Sequence, residues 1–162
     1  APSGLAPSTI FRFSQTSGLL SKITSGFGLT PLVAPDASKM ALSSTDSSGK
    51  NLSLSVHDLS GKIIFETGVR TVTDKCVWTA PSLFYCAAPR TIPSSAVMPD
   101  DYFAASLHTS DRIIKVDIEK EEIREVFNEG NFDIANLLVT KNEDTIFFVD
   151  RRDGTLWRYK IN

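Results

Sequence analysis

Apolar residues come in short runs rich in Ile, Val, Phe and Thr, each cut by Gly, Pro, Asp or Asn. That punctuation predicts strands joined by turns, and few windows sustain a helical period over three turns. Residues 119–129 are the best helical stretch, through Ile123, Val126 and Phe127. The alternating run just before it, residues 112–118, favours a hairpin instead.

The alternation repeats. Residues 10–23, 52–66, 112–126 and 155–162 share one pattern: an alternating strand, a short polar turn and usually a second strand. Aligned on Phe13, Val56, Val116 and Tyr159, these segments are spaced by 43, 60 and 43 residues. The long interval contains residues 89–102 (PRTIPSSAVMPDDY), which are Pro-rich and do not alternate. Each full unit also carries an earlier hairpin, at 32–43, 75–88 and 137–150, turning at Pro35–Asp36, near Pro81 and at 142–144. Proline and Asx residues suit these places through a pre-set φ or a turn-capping side chain. Short strands at a period of about 40–50 residues are the signature of propeller blades. With strands lettered A to D from the inside outward, the chain reads CD-ABCD-ABCD-ABC. The predicted class is therefore all-β, with antiparallel four-stranded blades, roughly three and a half of them where a closed ring has about 4–8. An open sandwich would use the same short alternating strands.

Residues 34–62 (APDASKMALSSTDSSGKNLSLSVHDLSGK) resemble the repeat of TolB-type and other WD-like propellers. That repeat has a Pro-Asp turn, a buried strand, a Gly turn and a strand ending Asp-Leu-x-Gly. Asp36 and Asp58 match it, whereas Ala37 stands where the pattern has Gly. Residues 110–118 (SDRIIKVDI) resemble the Ser-Asp turn and following strand of WD repeats, without the tryptophan. Residues 75–111 are similar to blades of uncharacterised bacterial membrane-anchored propellers. The resemblance implies a partial propeller over residues 9–162 with a loop insertion at 89–102, preceded by a linker-like segment at 1–8. An arc that begins and ends mid-blade leaves edges and faces uncovered. The expected partners are therefore the remainder of a larger propeller, or a second copy in a homo-oligomer.

Composition narrows the function classes. A length of 162 residues, 41% hydrophobic and 22% charged, suits one folded domain. A net charge of −2 leaves no field to attract nucleic acid. No run approaches the ~18–20 apolar residues of a membrane helix, so no membrane insertion within the chain is expected.

Cys76 and Cys86 are equidistant from Pro81. A hairpin turning there sets them opposite one another, within disulfide range. Two free buried thiols are the plain alternative. A bridge would imply an oxidising compartment, hence an extracytoplasmic location. The spacing is wrong for zinc.

Candidate chemistry is thin. His108, Ser110 and Asp111 could be read as a catalytic cluster, but triad members converge from separate elements, and turn capping explains them better. His57 sits on a strand, opposite in phase to Leu54 and Val56. Asp100 and Asp101 could hold a cation or form an acid–base pair, although a calcium loop needs more oxygen ligands. Residues 46–49 and 152–154 read as hairpin turns, and Asn51-Leu52-Ser53 as a glycosylation triplet. Trp78, Phe84, Tyr85, Trp157 and Tyr159 suit packing between blades better than a sugar platform. No catalytic residue, metal or cofactor is expected. The inner hairpin arms carry almost no carboxylates, which a propeller enzyme of the glycosidase or lactonase kind would need. Recognition is expected instead in the insertion, at Ile92, Val97, Met98, Asp100, Asp101 and Tyr102, although the same residues could simply cap the sheet. The reading is a non-catalytic binding or scaffolding module of an extracytoplasmic bacterial propeller, recognising a protein or glycan. A propeller enzyme and a structural surface-layer or adhesin element are the alternatives.

Overall fold

The computed structural model describes residues 2–161. Among these residues, twelve strands form three antiparallel sheets. The first sheet holds β1 (Pro7–Phe13), β2 (Leu20–Val33), β3 (Lys39–Thr45), β4 (Ser53–Asp58) and β5 (Ile63–Glu66) in chain order. The second holds β6 (Cys76–Ala80), β7 (Leu83–Pro89), β8 (Asp111–Asp117) and β9 (Glu122–Phe127). The third holds β10 (Ile134–Val139), β11 (Thr145–Asp150) and β12 (Leu156–Lys160). Residues 119–129 contain strand β9, not a helix.

The sheets stack face to face, and the period of two divides each strand between neighbours. On β7, Phe84, Cys86 and Ala88 pack against Ala41, Leu54 and Val56 of the first sheet. Tyr85 and Ala87 of the same strand pack the other way, with Ile134, Leu137, Ile146 and Phe148 of the third. Burial on both faces is why β7 reads as a continuous apolar run. Glu143 ties the second and third sheets together, accepting from the Tyr85 hydroxyl at 2.9 Å and from Lys115 at 2.5 Å.

The hairpin predicted as the outer half of a flanking blade is β1 with the first half of β2, and it is continuous with the first sheet. Strand β2 pairs with β1 up to Phe27 and with β3 from Phe27 onward. Ile10 and Ile23 pack on Leu29, Met40 and Leu42, so the hairpin covers that sheet's outer face. Gly61, in the turn between β4 and β5, permits the approach, since a Cβ there would stand 2.2 Å from the Ile23 carbonyl oxygen. At the other end of the stack, Leu138 and Leu156 are exposed.

Turns recur in one form. Asp36, Asp46, Asp58 and Asp153 each accept from the amide and hydroxyl of the Ser or Thr two residues on. Ala37, where the repeat pattern has glycine, holds the left-handed conformation at φ 52. Asp46 binds most, adding the Lys50 amide and the Asn51 side chain. The Ser48 hydroxyl first, then the Lys50 and Ser48 amides, draw its carboxyl from 3.8 down to about 2. A carboxyl depressed in the folded state stabilises the fold above its unfolded value, and that gain is lost as pH falls through the folded one. Stability is therefore expected to fall between about pH 4 and pH 2, and D46N should flatten the slope. Urea midpoints measured across that range test this. Identical slopes for the two proteins would remove Asp46 from the account.

Candidate functional site

Up-and-down strand order sends every second connection to the same end of the stack. The β3–β4 turn, the β5–β6 connection, the insertion between β7 and β8, and the β9–β10 and β11–β12 connections all emerge there. The insertion is folded, not trailing. Ala96, Met98, Tyr102 and Leu107 form a small core with Leu52 and Val72, and Ile92 packs at its margin. A short helix, α1 (Asp100–Phe103), closes it.

Beneath the insertion lies a buried ion cluster. Lys75, at the end of a single 3₁₀ turn before β6, is 1% exposed. Its ammonium donates to Asp111 Oδ2 at 2.6 Å, Asp133 Oδ1 at 2.8 Å and Thr109 Oγ1 at 2.8 Å. Asp133 also faces His108 Nδ1 at 3.0 Å and Arg151 at 3.7 Å. Burial pushes the Asp111 carboxyl up and outweighs the pull of Lys75. Burial acts on Asp133 too, yet Lys75 and then His108 and Thr109 hold its carboxyl below the usual value. The Tyr102 ring lies 4.2 Å from the Arg151 guanidinium and 5.4 Å from the Lys75 ammonium, which clamps the insertion over the cluster.

Between the insertion and the first sheet opens a cleft of about 410 Å³. Leu52, Ala96 and Met98 form its floor, with Ile92, Pro93 and Ser94 on one side and Gly49, Lys50, Asn51 and Arg70 on the other. Lys50 holds the walls together by donating to the carbonyls of Ser94 and Ala96. A second, shallower groove of about 330 Å³ runs along the third sheet, lined by Phe127, Phe132, Phe148, Trp157 and Tyr159.

The residues expected to recognise a partner divide. Ile92 and Met98 line the cleft, but Met98 is buried as floor. Tyr102 is buried and donates its hydroxyl to Asp74 at 2.6 Å, so it caps the sheet. Val97 is half-buried, and its amide donates to Asp101 Oδ2 at 2.8 Å. Asp100 accepts from the Ser3 hydroxyl and the Gly4 amide, both at 2.7 Å. The segment that reads as a linker is therefore tied down at residues 3–4, and β1 begins at Pro7, inside its expected span. Gly4 sits so close that a Cβ would stand 2.1 Å from the Met98 carbonyl oxygen.

His108 pairs with Asp133, while Ser110 Oγ accepts from Arg90 at 2.6 Å, so His108, Ser110 and Asp111 do not form a relay. His57 is buried between Ser55 Oγ at 2.8 Å and the Gly61 carbonyl at 3.1 Å. Phe84 and Tyr85 are buried and Trp78 half-buried, as packing requires, whereas Trp157 is exposed along one side and rests on Phe132. Sequence reasoning missed Lys75, Asp133 and Arg151. Their one signal was the Asp at the start of a strand after a turn, at 111 and 133.

Cys76 and Cys86 pair in register and are joined by a disulfide. The bridge closes a short loop, so reduction is expected to cost at most about 3 kcal/mol. Urea denaturation with and without reductant checks this, and a larger loss would mean that the bridge holds more than the β6–β7 hairpin.

No family model and no curated protein matches the chain by sequence. Solved structures do resemble it. TolB from Acinetobacter baumannii superposes with a TM-score of 0.53 at 15% identity, over 95% of this chain and 38% of that one. Hydrazine synthase from Kuenenia stuttgartiensis gives 0.59 at 10% identity, over 98% and 48%. An oligogalacturonate lyase in complex with manganese gives 0.54 at 13% identity, over 94% and 42%. All are β-propellers. The fold is a partial β-propeller. Its three sheets are blades, and the sandwich alternative falls. The chain spans less than half the length of these similar proteins. Among the described residues, no helix is long and apolar enough to cross a membrane.

Proposed function

We propose that the chain is a non-catalytic binding module of an extracytoplasmic β-propeller protein, and that the cleft beside the insertion receives a protein or glycan ligand. Propeller folds host both binding proteins and enzymes, so the site has to carry the argument. The observation that carries it is how the charged groups at this end are spent. Lys75, Asp111, Asp133 and Arg151 hold the insertion in place, and Asp46 and Asp100 are bonded to turn and N-terminal donors. What they frame is an open cleft of about 410 Å³, within the size range of small-ligand sites. The disulfide supports an oxidising compartment.

The end faces of the arc are closed by further blades, belonging to a longer chain or to a second copy. Phe11, Phe13 and Leu20 are exposed at one end, and Leu138 and Leu156 at the other. Light scattering separates the two: a mass twice 17.7 kDa supports the second copy, and a folded monomer rules it out. For the cleft, amide spectra of the ¹⁵N-labelled chain would be followed during titration with short acetylated peptides and oligosaccharides. Shifts at Asn51, Leu52, Ala96 and Met98 are expected. Shifts confined to the aromatic groove of the third blade, or none at millimolar probe, would overturn the reading.

A further inference from the structure

The cleft has a chemical bias that narrows its ligand. Two cations line it, Lys50 and Arg70, and none of its lining residues is a carboxylate. Arg70 is exposed and has no hydrogen-bond or ion-pair partner among the described residues. Lys50 spends two donors on the Ser94 and Ala96 carbonyls, and an ammonium has three. One donor therefore remains beside the free guanidinium. The turn carboxylate Asp46 is bonded to Ser48, Lys50 and Asn51 and does not line the cleft.

The floor is aliphatic. Leu52, Ala96 and Met98 are buried, Ile92 is half-buried, and no aromatic ring lines the cleft. Sugar rings gain most from a flat aromatic platform, and the aromatic rings Trp157 and Phe132 line the other groove, not this cleft. A branched apolar side chain suits Leu and Met walls better, since methionine adapts to irregular shapes. Arginine in turn favours a carboxylate, which matches its planar fork.

We infer that the cleft recognises an acidic peptide, with an aliphatic side chain on the Leu52–Met98 floor and a neighbouring Asp or Glu carboxylate on Arg70 and Lys50. This rests on the reading of the cleft as a ligand site and adds the chemistry of the ligand.

The experiment compares acetyl-Leu-Glu-amide with its neutral analogue acetyl-Leu-Gln-amide and with glucuronate, on the labelled chain at low and high salt. The acidic dipeptide is expected to move the amides of Asn51, Leu52, Ala96 and Met98. It should bind about tenfold more tightly than the neutral one, the scale of a single charge-assisted hydrogen bond. Its affinity should fall as salt rises. R70Q, at an exposed position, should leave the rest of the spectrum unchanged and diminish the preference for the acid. Equal binding of both dipeptides at the cleft overturns this inference and leaves the cleft standing as a ligand site. An undiminished preference in R70Q, or glucuronate moving the same amides more strongly, also overturns it. No shift at the cleft with any probe sinks the underlying reading as well.

Discussion

Replacing Lys75 with methionine is expected to destabilise the protein by about 3–5 kcal/mol, the cost of leaving buried charges without their partner. Methionine fills much the same volume, so packing is nearly conserved and the electrostatic loss dominates. Asp111 and Asp133, both fully buried, lose bonds of 2.6 and 2.8 Å to the ammonium. The loss should depend on pH. Burial already raises the Asp111 carboxyl with Lys75 in place, and removing the cation raises it further. A carboxyl whose folded value lies above its unfolded one weakens the fold at high pH, and that penalty disappears as pH falls through the folded value. The K75M deficit should therefore be smaller near about pH 5 than near about pH 8. Adding D111N should recover part of it at the higher pH. Urea denaturation of the three proteins at both pH values measures this. A pH-independent deficit, or one below about 1 kcal/mol, would mean that the cluster is more hydrated than its burial indicates.

Tyr102→Ala should rank close behind, at about 3–5 kcal/mol, the usual loss for removing a buried aromatic ring. The ring is 3% exposed and fills the insertion's own core. It also covers the ion cluster, 4.2 Å from the guanidinium of Arg151. Its hydroxyl is held in the protonated form by burial and by Asp74. Tyr102→Phe keeps the ring and loses only the bond to Asp74, so about 1.5–3 kcal/mol is expected, as for hydrogen bonds to charged groups. The two variants together separate packing from hydrogen bonding. If alanine costs no more than phenylalanine, the insertion rests on its backbone bonds and not on this side chain. In Y102A the cleft floor should also loosen, because Leu52, Ala96 and Met98 share a core with this ring, and native-state proteolysis should begin within residues 90–106.

How far a feature could be read in advance depended on how local its cause is. Cys76 opposes Cys86 as a turn centred on Pro81 requires. The turn is Pro81–Ser82, however, with Ala80 opposite Leu83, and an irregularity between Trp78 and Ala80 restores the expected register. Strand order was equally legible where short connections leave consecutive strands little choice but to pair, and the repeat carried it across the long insertion between β7 and β8. The interval of 60 residues located the insertion. Its composition could not say which side chains would turn inward. Met98 and Tyr102 look like docking residues in a Pro-rich loop, and they are buried because Leu52 and Val72 offer them an apolar seat from another unit.

Local pattern and spacing, then, determined the all-β class, the blade repeat, the turns and the disulfide register, since each depends on residues a few positions apart. Only the tertiary structure decided the rest. Lys75 looks like an ordinary polar residue at the start of a strand, and its partners stand 36 and 58 residues away. The first hairpin covers a blade face because Ile10 and Ile23 meet Met40 and Leu42 across a bend in β2. The cleft has no segment of its own, being the space between a turn of one blade and the insertion of the next. Charges, apolar seats and clefts of this kind arise where distant elements converge, and desolvation acts on that convergence and not on the order of residues along the chain.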